Sequence, residues 1–150
     1  MLADPVDIAR LFLHVREVGQ NQGQRVNAIQ MFSGGAPAIG TSWCAWFATM
    51  VLDLCFAGKS PIPRMGGCQD IFALAQKNQW MTETPSTGDL FLYVDANDHA
   101  HHIGIFVGWD ADQKPIGIAG NTDASGTSNN GDRVAEHTIG AAKYIAYPHG

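Results

Sequence analysis

Charge is scarce in this chain, and no long run of one sign occurs. Only 15% of the 150 residues are Asp, Glu, Lys or Arg, with 9 basic against 14 acidic side chains and a net charge of −5. Without a basic patch, nucleic acid is excluded as a natural partner, and an anionic surface does not attract the chain by charge. Cysteine is sparse too. The three present, Cys44, Cys55 and Cys68, are too few for a disulfide framework and lack the spacing of a zinc cluster. No apolar run approaches the length of a membrane span. The opening MLADPVDIAR has no basic region followed by an apolar core, so it does not read as a secretory signal. The expectation is a protein made in the cytoplasm without a signal peptide.

Apolar side chains and glycine are plentiful, at 45% and 17 residues. Residues 1–150 fit one domain with a proper core, close backbone packing and many turns. The stretch Ser42 to Phe56, SWCAWFATMVLDLCF, reads as a helix apolar almost all round. Only Thr49 and Asp53 interrupt it, four apart on one stripe, so the helix belongs inside the fold. Its first residues follow a Gly-Thr-Ser run able to supply an N-cap. Cys44 then sits in the first turn, where unpaired N–H groups and the helix dipole favour a thiolate. The same N–H groups suit an oxyanion. Two readings fit Cys44 equally on position alone, a nucleophile or one more small core residue. Cys55 lies about 16 Å along the helix from Cys44 and cannot bond to it. Cys55 and Cys68 read as inert core thiols.

Along the chain, Asp4-Pro5 opens a helix with Ile8, Leu11, Phe12 and Val15 on one face, running to about Glu17. Val26, Ile29 and Phe32 mark a second helix, and Ser33 to Ser42 is a loop. Gln69 to Gln79 is a fourth helix with Ile71, Phe72 and Ala75 inward. The pattern then changes to strands at Asp89 to Val94, His102 to Trp109, Pro115 to Asn121, about Val134 to Thr138, and Lys143 to Tyr147. Helices followed by strands in meander order indicate an α+β domain with an antiparallel sheet of about five strands.

In the strand HIGIFVGW, His102, Gly104, Phe106 and Gly108 share one face. If Trp109 pairs with Lys114 across a turn at Asp110 to Gln113, the count brings Asn121 opposite His102, with Cβ atoms about 5 Å apart. Gly104 with Ala119, and Phe106 with Gly117, complete a sparse face on which the central helix is expected to lie, bringing Cys44 to His102. His102 would then take the thiol proton and later protonate the leaving group, with Asn121 orienting the imidazole. A register slip of one residue would separate His102 from Asn121.

SWCAWF at Cys44, GDLFLY at Gly88 to Tyr93, HHIGIFVG at His101 to Gly108 and IAGNTD at Ile118 to Asp123 occur in order. Together they resemble the CHAP family, the cysteine, histidine-dependent amidohydrolases and peptidases. Glu17, Asn21 and Gly23 resemble the opening segment of its phage- and bacterium-associated members. The resemblance implies a papain-like fold and cleavage of peptidoglycan amides, either N-acetylmuramoyl–L-alanine or a stem or cross-bridge peptide bond. By motif, Cys44 is the nucleophile, His102 the base and Asn121 the orienting residue, with neither metal nor other cofactor. One position departs from the pattern. Ala119 stands where many members have a glutamate, so Asn121 alone must orient His102, or Glu136 or Asp123 must substitute.

Other polar groups have plainer readings. Asp95, Asn97, Asp98, His99 and His101 fit a solvated hairpin tip better than a metal site. Asp123 to Asp132 fails as an EF-hand loop. Trp43 and Asn21 are candidates for the substrate cleft, Trp46 fits the core, and Trp80 and Trp109 fit packing. Two implied settings are a phage-type lysin and a secreted antibacterial effector. Either acts in the periplasm or cell wall after lysis or dedicated secretion, the effector with a cognate inhibitor protein as partner. The rival classes are a peptidoglycan-binding module that has lost catalysis, and a deamidase or acyltransferase acting on a protein.

Overall fold

The computed structural model describes residues 1–32, 40–123 and 131–150. Much of two expected loops, Ser33 to Ser42 and the Gly/Ser/Asn-rich run after Asp123, lies outside the described residues. The rest forms an α+β fold. Its helices are α1 (Pro5–Arg10), α2 (Gln24–Met31), α3 (Cys44–Cys55) and α4 (Cys68–Lys77). Its strands are β1 (Met81–Thr82), β2 (Leu90–Val94), β3 (Ala100–Trp109), β4 (Pro115–Thr122), β5 (Arg133–Thr138) and β6 (Lys143–Ile145). Among the described residues, no helix is long and apolar enough to cross a membrane.

The sheet has six antiparallel strands in the order β1-β6-β2-β3-β4-β5, not a five-stranded meander. Only β2 to β5 form a meander. The last strand returns to pair with β2, and β1 extends that edge. Two residues are too short for β1 to show the alternation that marks a strand in a sequence.

Helix α1 starts as expected, with Asp4 accepting a hydrogen bond from the Val6 N–H at 2.8 Å and proline in the first turn. It stops at Arg10 instead of running to Glu17, because the following chain is used elsewhere. The N–H groups of Val134 and Glu17 donate to the carbonyls of Val15 and Asp132 at 3.1 and 2.7 Å, and Arg16 bridges Arg133. This extended segment covers the exposed edge of β5.

The Gly-Asp pair before β2 is a latch. Asp89 is buried and accepts from the Ser86 N–H at 2.8 Å, and its other oxygen pairs with His149 at 2.9 Å. Tyr147 donates its hydroxyl to the Gly88 carbonyl at 2.8 Å and stacks on His149. The chain end is thereby fastened to the start of β2.

Helix α3 is buried along nearly its whole length. Its polar stripe receives Arg64. Thr49 donates its hydroxyl to the Ala45 carbonyl at 2.8 Å and accepts from Arg64 at 3.0 Å. The same guanidinium donates to the carbonyls of Ile29, Phe32 and Trp46, so one cation closes the end of α2 against α3.

The expected packing face is corrected. Helix α3 lies on the side of Ile103, Ile105, Ile118 and Gly120, not on the side of His102 and Gly104. Gly120 makes the close approach: a Cβ there would stand 2.7 Å from Trp43 and 2.8 Å from the Phe47 Cβ. Gly104 and Gly117 instead leave room for the Phe91 ring, 2.4 and 2.5 Å from where their Cβ atoms would be. Phe91 heads a second, smaller cluster with Tyr93, Phe106, Ala119 and Ile139. A sparse strand face admits either a close helix or one large ring, and here it admits the ring.

Gly120→Ala should force α3 away from β4 and lower stability by about 1–3 kcal/mol, measured as a lower denaturant midpoint. An unchanged midpoint would contradict this packing.

Candidate active site

Helix α3 begins at Cys44 with Trp43 as its N-cap and no side-chain cap bond. The expected cap from the Gly-Thr-Ser run is not formed. Trp43 is wholly buried against Gly120, and its indole N–H donates to Glu17 at 2.8 Å. It therefore belongs to the core and lines no open cleft. Trp46, expected inside, is only partly buried and stacks on Arg64. The two tryptophans exchange roles because α3 meets the sheet through its Trp43 side.

Cys44 is 3% exposed, and its Sγ lies 3.5 Å from that of Cys68, the first residue of α4. Two helices start at one point, and each brings a cysteine. Cys68 is thus not the detached core thiol expected from the sequence. The Cys44 thiol is held well below its ordinary range. The hydrogen bond with Cys68 is the largest cause; burial opposes it, and His102 and the Ile103 N–H reinforce it. Cys68 moves upward through the same bond and through burial. Cys55, remote from the pair, is pushed by burial to about 11 and behaves as the inert thiol expected.

His102 is wholly buried on the sheet face opposite α3. Its ring meets Tyr93 at 5.4 Å and Phe91 at 6.2 Å between centroids. Cys44 reaches this neighbourhood past the strand, at the Ile103 N–H. Paired residues between β3 and β4 run from Trp109↔Pro115 to Ile105↔Ile118 and stop three residues short of His102. Neither His102 ring nitrogen makes a hydrogen bond among the described residues. The imidazole is near enough to favour the thiolate electrostatically.

The register call is corrected at both ends and holds in the middle. Trp109 pairs with Pro115, not Lys114, and a bulge between Phe106 and Gly108 restores Phe106 opposite Gly117. At the far end, Asn121 takes a left-handed conformation, φ +53°, and the β4–β5 register shifts between Ala119 and Thr122. Regular alternation therefore fails at Asn121, and no His102–Asn121 ladder pair forms. Asn121 is nevertheless buried, and its carbonyl accepts from the Gly131 N–H at 3.0 Å.

Of the two proposed substitute acids, Glu136 is engaged elsewhere. Ala119 is packed among Phe91, Tyr93 and Phe106, where a carboxylate would be desolvated. Glu136 points to the other side and pairs with Arg10 at 3.0 Å. Asp123 is electrostatically coupled to His137, a residue that the sequence reading overlooked. His137 is buried, its ring 5.7 Å from Phe91, and burial, aided by the nearby His102, lowers its affinity for a proton. The alternation of β5, which puts His137 on the Gly117 side, was the available signal.

Asn21 also has φ +53° and is 8% exposed. Gln30 donates one amide group to the carbonyls of Asn21 and Thr41 at 3.0 and 2.8 Å. That ties the opening segment to the chain three residues before Cys44. Asp95 accepts from the Asn97 and His99 N–H groups at 2.8 and 3.0 Å, the hairpin tip expected. Among the described residues, no three His, Cys, Asp or Glu side chains converge on a metal position.

No family model, curated protein or solved structure matches this chain. The site's chemistry therefore rests on its own geometry and on the motifs.

Treatment with diamide, which takes two thiol hydrogens to become its hydrazine, should give one intramolecular Cys44–Cys68 disulfide, since only short side-chain movements separate the sulfurs from bonding distance. Peptide mapping checks this. A bridge through Cys55, or none, would contradict the arrangement.

Proposed function

We propose that this chain is a papain-like cysteine hydrolase that cleaves amide bonds of bacterial peptidoglycan. The observation that carries the reading is Cys44 held toward the thiolate at the start of a buried helix, with His102 beside it. The thiolate attacks the amide carbonyl, and N–H groups of the first turn of α3 receive the developing oxyanion. Collapse of the tetrahedral intermediate breaks the C–N bond, the His102 imidazolium gives its proton to the leaving amine, and a thioester remains on Cys44. His102 then takes a proton from water, which hydrolyses the thioester and frees the thiol. Asn121, buried at the end of β4, is the proposed orienting residue. The choice of peptidoglycan comes from the four motifs and not from the geometry. The net charge of −5 favours recognition by shape and hydrogen bonding over attraction to an anionic wall.

One observation favours a second reading, a binding module on the same scaffold. The place of the family acid is filled by Ala119 in an apolar cluster, so that acid is absent and its space is closed.

Purified peptidoglycan digested with the wild type should release muropeptide fragments whose masses name the bond. Cys44→Ala should release none, and His102→Ala should be slower by about 10²–10⁴-fold. Release by Cys44→Ala, or no release by the wild type on walls of several stem chemistries, would overturn the hydrolase reading.

A further inference from the structure

Cys68 lies outside the four motifs, yet its side chain touches the Cys44 sulfur directly. Its Sγ is 3.5 Å from that of Cys44, within reach of an S–H···S hydrogen bond, and both residues are buried. The two sulfurs differ in surroundings. Cys44 has the start of α3, the Ile103 N–H and His102 about it. Cys68 also opens a helix, but with the Asp70 carboxylate in that same first turn, folded back against Gly67. Both sulfurs thus stand at helix starts, and His102 beside one with Asp70 in the turn of the other favours the anion on Cys44.

We propose that Cys68 is a positioning residue whose S–H donates to the Cys44 sulfur, fixing its direction and holding it as the thiolate. This deepens the hydrolase reading and rests on Cys44 being its nucleophile. Of the titratable groups around the pair, His102 from β3 acts on Cys44, His137 is coupled to His102 and to Asp123, Asp70 stands in the first turn of α4, and Glu17 holds the indole of Trp43, the residue before Cys44. None is a lysine or arginine. A neutral donor replaces the cation that commonly lowers a cysteine pKa, as the second thiol does in a Cys-X-X-Cys motif. Here the second thiol comes from another helix. The proton count is undisturbed. Cys68 keeps its proton throughout, and the proton that Cys44 loses is still the one His102 carries to the leaving amine.

The test is the pH dependence of iodoacetamide alkylation at each cysteine, read by peptide mass, with thiolate ultraviolet absorbance as an independent measure. Wild type, Cys68→Ala, Cys68→Ser and Cys44→Ala are compared after circular dichroism has verified folding. Cys68→Ala should move the Cys44 midpoint upward by about one pH unit, slowing alkylation below the midpoint about tenfold. Cys68→Ser, whose hydroxyl still donates, should recover part of that shift. Cys44→Ala should move the Cys68 midpoint downward, which a purely structural contact would not do. Unchanged midpoints in both alanine variants overturn the proposal. None of these readouts needs a substrate. Shifted midpoints without wall digestion would retain the donor and remove the hydrolase reading; digestion without shifted midpoints would do the reverse.

Discussion

Burying α3 on every side is the constraint from which the rest of the structure follows. Nine of its twelve residues are buried, so the sheet, α1, α2 and the segment carrying Arg64 must all be packed around it. Apolar contact alone cannot close such a shell, because the ends of neighbouring helices carry unpaired carbonyls. Arg64 satisfies several of them from one point, and Thr49 is the polar group on α3 that receives it. Burial pulls the guanidinium down to about 10 with Asp53 opposing, which leaves it charged near neutral pH and suited to the task.

The same constraint fixes where the reactive sulfur goes. A helix pressed onto Ile103, Ile105 and Ile118 by the Gly120 contact has its first residue at the level where β4 no longer pairs with β3. There the Ile103 backbone adds to what favours the Cys44 thiolate. Cys44 and His102 consequently approach around a strand. The side of the sheet that holds His102 is filled by Phe91, Tyr93 and Phe106, which keep the imidazole in apolar surroundings while α3 covers the other side.

The helices and five of the six strands were legible because their side chains repeat with a period, and the N-terminal cap of α1 because its chemistry is local. The polar stripe on α3 was legible as a stripe, but Arg64, which meets it, lies in an aperiodic stretch of proline and glycine. The middle of the β3–β4 register was legible from alternation. Its ends were not, because the bulge near Gly108 and the left-handed Asn121 are backbone events that the side-chain pattern does not record. Cys44 and His102 were visible through motif and position. Cys68 was not, although Gly66 and Gly67 precede it at the start of a helical pattern much as a small-residue run precedes Cys44. Nothing local says that two helices 24 residues apart in sequence start at one point.

Stabilising a buried thiolate with neutral donors differs in kind from doing so with a cation. A lysine or arginine beside Cys44 would lower its pKa but would also repel the imidazolium that the proposed hydrolysis forms on His102. It would add a second desolvated charge to a site already lined by Phe91 and Tyr93. A thiol S–H, a backbone N–H and a helix N-terminus act at short range, carry no net charge and leave the histidine free to cycle. That choice agrees with a chain poor in charge. The role proposed for Cys68 is one that serine could fill in part and alanine could not, because it asks for a donor and not for volume.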